Sequence, residues 1–165
     1  MMKHVDSTVR AGKSGGALTI ETVADILERE THPLIEAWLL RVEKESDLAS
    51  IPLNHDERTG HLPHLINDVI KRLRLDAGTK APISKAAADH GNLRRKQGYT
   101  VAMMVEESRL LQVSIFTTLH QNVTQLEFSA LLPDVVTIAD EVDAQLKEQM
   151  LRFMAADKAE KAERK

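Results

Sequence analysis

HGNLRRKQGYTVAMMVEESRLL, residues 90–111, reads as two helices joined by a tight turn. Gly98 is the natural stop of the first, because a glycine just past a helix takes φ > 0 without a Cβ clash. Thr100 caps the second, its hydroxyl placed to accept a free N–H of the following turn. His90 stands eight residues before Gly98, and Glu107 eight after Tyr99, the single tyrosine of the chain. In an antiparallel hairpin these two side chains fall at the same height.

Glu107 is the anomaly of this stretch. Its neighbours three and four residues away are Met103, Met104, Leu110 and Leu111, all apolar. A carboxylate so placed must snorkel, take up a proton, or find a cationic or hydrogen-bonding partner. The partners expected are His90 or Arg94 on the preceding helix. Paired with His90, it would titrate near neutrality and act as a pH-dependent latch; the simpler role is a satisfied polar pair that fixes helix register. Glu106 borders Arg109 and is expected at the edge of the core. The candidate signal site or polar lock is therefore His90, Arg94, Tyr99, Glu107 and Arg109.

Outward from the hairpin, the chain is helical by pattern. Ile20, Val23, Ile26 and Leu27 line a first helix from Thr19 or Thr22 to Glu30. Thr31 as a cap and Pro33 in the first turn restart the chain, and Leu34, Ile35, Trp38, Leu39 and Val42 line a second helix ending near Ser46. Asn54 and Glu57 form a capping box opening a third segment, broken around Gly60 and Pro63 and continuing through Leu73. A loop at 76–82 precedes a fourth helix, Ile83 to Gln97, whose Ala86-Ala87-Ala88 run and Gly91 invite close approach of a second helix or a ligand. The fifth, from Thr100 to Val123, is the most apolar, with Val101, Met104, Val105, Leu111, Ile115 and Leu119 as its stripe. Thr124 and Glu127 have capping-box spacing before a last helix that carries Val135, Ile138, Val142, Leu146, Met150 and Phe153.

These elements make an all-α, single-domain bundle of about six helices with a long C-terminal helix. Residues 1–17 read as a flexible leader, 18–154 as the helical domain, and 155–165 as a charged helical connector expected to project or fray. Gly12-Lys13-Ser14 in the leader is no phosphate loop, since position 7 is Ser7 where that motif needs glycine and no strand precedes it.

Composition narrows the function. The net charge of −3 argues against a general nucleic-acid binder, and the basic clusters Lys71-Arg72-Arg74 and Arg94-Arg95-Lys96 read as solvated faces. There is no cysteine, which removes disulfides, thiol nucleophiles and Cys-based metal sites. No apolar run reaches the ~20 residues of a membrane span, and no signal peptide pattern opens the chain, so a cytoplasmic protein is expected. His61 and His64 are three apart with Asp68 a turn further, a weak metal candidate lacking a fourth ligand; the expectation is no metal and no cofactor. No serine sits in a nucleophile motif, no carboxylate pair has catalytic spacing, and enzyme activity is not expected.

The run His90-Gly91, Arg94, Gln97-Gly98-Tyr99-Thr100 and Val105-Glu106-Glu107-Ser108-Arg109-Leu110-Leu111 resembles the RsbT co-antagonist protein RsbRD N-terminal domain family, over about residues 20–150. Ser108 and Gln112 depart from that pattern, which often has an aromatic residue and an arginine there. The resemblance implies a non-catalytic helical input domain of stressosome-type regulators and sensor histidine kinases, related in role to haem-free globin-like sensors, with globin-like architecture among those open to it. It implies an output domain or partner protein and signalling through the C-terminal helix. The alternative is a small-ligand or haem sensor, with His90, His64 or His120 as axial imidazole; few aromatic residues are available to wall a porphyrin. Leu146, Met150, Phe153 and Met154 mark an expected homodimer seam, or else a face packed back on the bundle.

Overall fold

The computed structural model describes residues 19–164, so the 1–17 leader, with its Gly-Lys-Ser triplet, lies outside the described residues. The described residues form an all-α bundle: α1 (Val23–Arg29), α2 (Thr31–Val42), α3 (Ser46–Ala49), α4 (His55–Thr59), α5 (Leu62–Leu73), α6 (Lys85–Lys96), α7 (Val101–Gln121) and α8 (Phe128–Glu163). The two extra helices relative to the pattern are the single turns α3 and α4. No described helix is long and apolar enough to cross a membrane.

Local chemistry sets most boundaries. Thr22 caps α1 by accepting from the Asp25 N–H, and Asn54 with Glu57 forms the capping box of α4. Ser84 caps α6, so that the helix begins at Lys85, two residues later than the apolar pattern suggests: its Oγ accepts from the Ala87 N–H (3.0 Å) and donates to Asp68 of α5 (2.7 Å). Gly98 ends α6 at φ +87°, and Thr100 caps α7 by accepting from the Met103 N–H. Two expected caps do not form. Thr31 lies inside α2 and donates to the Leu27 carbonyl. Thr124 lies in a 3-10 turn (Val123–Gln125), and Glu127, the N-cap of α8, makes no capping bond because its carboxylate accepts from Ser129.

The core gathers around Trp38, which is fully buried on α2, with Ile26 and Leu27 of α1, Leu65 and Ile66 of α5, and Met104 and Ile115 of α7. Val101 and Val105 are exposed, so the apolar stripe of α7 is narrower than its composition suggests. α8 packs along α6 and also touches α5 and α7. It runs unbroken to Glu163, and Arg95 of α6 pairs with Asp157 (3.4 Å) and Glu160, holding the charged segment that was expected to project against the bundle. On α8, Phe153 packs inward, Leu146 and Met150 are half-buried and Met154 is exposed, so that face is turned largely to the bundle. The exposed apolar side chains of this helix include Phe128, Leu132 and Val136, spaced one turn apart.

Candidate functional site

The inward stripe of α6 is made of Ala87, His90, Gly91 and Arg94, at the i, i+3, i+4, i+7 spacing that usually carries aliphatic side chains. Opposite it, α7 presents Met104, Glu107 and Leu111. Two charged residues and an imidazole thus meet in the bundle interior, where each donor and acceptor needs a partner.

Glu107 receives four donors. His90 donates from Nε2 to Oε2 (2.8 Å) and Arg94 from Nε to the same oxygen (3.2 Å). Arg94 Nη2 (2.8 Å) and the Tyr99 hydroxyl (3.2 Å) donate to Oε1. Arg94 is fully buried and completes its set by donating to the main-chain carbonyls of Glu57 (3.0 Å) and Arg58 (2.7 Å) and to Gln97 Oε1 (2.8 Å). Its Cζ also lies 4.8 Å from the centre of the Tyr99 ring. Arg58 in turn donates to the Tyr99 hydroxyl (3.2 Å) and to the Ile51 carbonyl (2.6 Å). Trp38 donates from its indole to the Glu107 carbonyl (3.3 Å), so the only tryptophan both fills the core and steadies the backbone of the site.

Electrostatics follow from this arrangement. Burial by itself would push the Glu107 carboxyl up, but hydrogen bonds and charge from His90 and Arg94 hold it below the ordinary carboxylate range. Burial pulls His90 down despite Glu107, leaving a neutral imidazole that donates from Nε2 while its Nδ1 has no partner. Burial, followed by the negative charge of Glu107, pushes the Tyr99 hydroxyl up to about 12, so it stays a donor. The resulting unit is a carboxylate balanced by one guanidinium.

His61, half-buried at the start of α5, joins this group. Its ring stacks on that of His90, with centroids 3.7 Å apart and planes 13° from parallel, and meets Trp38 edge-on at 6.0 Å. Burial, then the neighbouring His90 and Arg94, lower it well below the ordinary histidine range. The expected pairing of His61 with His64 does not form a site: His61 turns inward and His64 outward, to an exposed position. Arg109 also lies outside the lock. It is exposed and donates from Nε to Glu106 (2.9 Å), because two residues along a helix from Glu107 is ~200° around the axis. Of the five candidate residues, then, His90, Arg94, Tyr99 and Glu107 are brought together. Arg58 is absent from the sequence-based candidates, and His61 stands among them only as a partner of His64, although it lies four before Leu65 and eight before Val69 on the buried stripe of α5.

Of the three histidines considered as haem ligands, His64 and His120 are exposed and His90 Nε2 is engaged by Glu107.

These shifts set a pH dependence. The folded-state values of His61 and His90 lie below 6.5, so on acidification the unfolded chain takes up protons first and stability falls. The loss begins near pH 6.5 and reaches up to about 1.4 kcal/mol per pH unit for each histidine. The lowered Glu107 adds a further loss at more acidic pH, below its ordinary value of 4.5. Exposed His55, raised by Glu36, works in the opposite sense. Urea unfolding at pH 7.5 and ~5.5 should show the lower stability at the acid pH, with a shallower dependence in His61→Gln.

No family model matches the sequence, and no curated protein or solved structure matches it.

Proposed function

We propose that this chain is a non-catalytic bacterial signal-input domain in which the Glu107 lock biases the docking of α8, and α8 relays the change to an output domain or partner protein. One observation carries the reading. Gly91, one residue from His90 on α6, sits where a Cβ would lie 2.2 Å from the Gln149 carbonyl oxygen of α8. The lock and the relay helix therefore share a single turn of α6. A shift of His90 when Glu107 changes partner has to be taken up at the contact between the two backbones, since packed interiors transmit displacement.

The residues behind the resemblance to the RsbRD N-terminal domain family support the same reading. Gln97 accepts from Arg94, Gly98 makes the turn, Tyr99 donates to Glu107, and Gly91 admits α8. In this reading the chain is a cytoplasmic component of a stressosome-type or histidine-kinase pathway. It acts through protein contacts, as a homodimer that covers the exposed Phe128, Leu132 and Val136 of α8.

The test is a fusion of the whole chain to a histidine-kinase catalytic core, through linkers varied one residue at a time over two helical turns, about seven lengths. Tyr99→Phe, which removes one donor from Glu107 and leaves the charges in place, should change autophosphorylation by about fivefold or more in at least one register, the low end of coupling between sites. Identical output from Tyr99→Phe and the parent at every linker length, with both proteins folded, rejects the relay.

A further inference from the structure

We infer that His61, His90 and Glu107 form a binding site for one divalent transition-metal ion of the zinc or ferrous class. The inference deepens the reading of the lock as the responsive element by naming the class of ligand that the lock senses, but the site itself stands on separate observations.

The first is the donor set. One ring nitrogen from each histidine and one carboxylate oxygen lie within 4.8 Å of one another. Ligands 2.0–2.2 Å from a common ion sit roughly 3–3.5 Å apart. His90 Nε2 and Glu107 Oε2, at 2.8 Å, are already close to this spacing; His61 has to come closer by about an ångström and turn its ring out of the stack on His90, since an ion must lie in the plane of each imidazole that binds it. Two imidazoles and a carboxylate suit zinc, iron, cobalt or nickel, and disfavour magnesium and calcium, which prefer all-oxygen shells.

The second observation is unspent bonding capacity. His61 Nδ1, His90 Nδ1 and Gln145 Oε1 are buried without a hydrogen-bond partner. Their residues line one cavity of about 10 Å³, together with Glu107 and Gln149. His90 and Gln145 are 3% and 2% exposed, so solvent at the surface does not satisfy these atoms. A void of this size holds roughly one water or one ion. Coordination through His90 Nε2 moves the ring proton to Nδ1, and Gln145, on the wall of the same cavity, carries an acceptor oxygen with no other partner.

The third is the surroundings. Arg94 and Tyr99 fix the orientation of Glu107, as hydrogen-bonded outer groups do for ligating carboxylates. Both imidazoles are held neutral by burial, with lone pairs available for a metal. An open cleft of about 350 Å³, lined in part by His61, Asp89 and His90, gives an ion a path from solvent. Arg94 also sets a limit on affinity. Glu107 already balances its charge, so the ion is only partly neutralised, and binding should be roughly micromolar rather than the tighter value of closed structural sites.

The test uses the full chain, stripped with chelator and titrated with Co²⁺ under absorption and proton NMR. One equivalent should bind, with visible d–d bands and hyperfine-shifted ring protons from two histidines. Zn²⁺ should displace it, and Mg²⁺ should not. His61→Ala and His61→Gln, both outside the Glu107–Arg94 ion pair, should weaken binding by at least about tenfold, while His64→Ala leaves it unchanged. No d–d bands at millimolar Co²⁺, or binding unaffected by both His61 variants, overturns the site, as does a loss caused by His64→Ala. Failure of the relay is distinguishable: it would show as a chain that binds Co²⁺ through His61 while the kinase fusion ignores both Zn²⁺ and Tyr99→Phe.

Discussion

Glu107→Gln is expected to destabilise the protein by about 3–5 kcal/mol, the cost of removing one partner from a buried ion pair. The amide keeps the shape of the carboxylate, so little packing is lost. What changes is the balance of charge and donors. Arg94 becomes a fully buried cation without its counter-charge. Where the carboxylate accepts from His90, Arg94 and Tyr99, the amide has one oxygen and turns N–H groups toward other donors. For a chain of 165 residues this amounts to a fall of roughly 6–20 °C in the melting temperature. The double variant Glu107→Gln with Arg94→Met separates charge from shape. It should recover about 1–2 kcal/mol relative to Glu107→Gln, because the stranded cation is gone. Recovery stays partial because the Glu57 and Arg58 carbonyls lose their donor. Thermal unfolding of the three proteins checks this, and equal stability of Glu107→Gln and the parent would mean that the lock carries no charge.

Gly91→Ala should be the second large effect, and its sign runs against helix propensity. In an isolated helix the change would stabilise by about 1 kcal/mol. Here the new methyl would lie 2.2 Å from the Gln149 carbonyl oxygen and 2.8 Å from its carbonyl carbon and Cα. These are backbone atoms of α8, which has no rotamer with which to withdraw. The helices must separate, and overpacking of this kind costs ~1–3 kcal/mol in ordinary cores and more where the obstacle is rigid. A net loss of at least about 2 kcal/mol is expected. It should come with faster amide exchange along α8 from Glu141 to Phe153, while α1 and α2 keep their protection. A stability gain in Gly91→Ala would show that α6 and α8 do not meet at this glycine.

The parts of this architecture that depend on neighbouring residues are legible in the sequence. Gly98 and Thr100 define a turn through backbone geometry and a single hydroxyl, both local. Counting out from that turn brings His90 level with Glu107, and Arg94 follows on the same face of α6 because it is one turn from His90. Arg109 shows the same rule neglected: two residues from Glu107 it points away, and Glu106 takes it. His61 was harder. Its inward turn depends on how α5 docks beside α6, and the nearby His64 suggested a different pairing by sequence spacing alone. Harder still was the polar seam of α8. Glu141, Gln145 and Gln149 are buried, yet they read as ordinary solvent-facing positions between Ile138, Val142 and Phe153. Gln145 donates to Glu141 one turn back on α8 (3.1 Å), but what draws it inward is the Leu65 carbonyl (3.1 Å), a contact that exists only once α5 and α8 are side by side. Gly91 signalled a close approach but not the identity of the visitor.

One guanidinium ties together segments that would otherwise come apart separately. Arg94 of α6 reaches Glu107 on α7 and the carbonyls of Glu57 and Arg58 on α4. A five-residue helix such as α4 is far below the length at which helices hold in water by themselves. Tethered in this way, it cannot fray without leaving buried N–H groups of Arg94 unmatched, and the hairpin cannot open without stranding Glu107. The short helix should therefore open together with the α6–α7 hairpin rather than as a weak turn of its own.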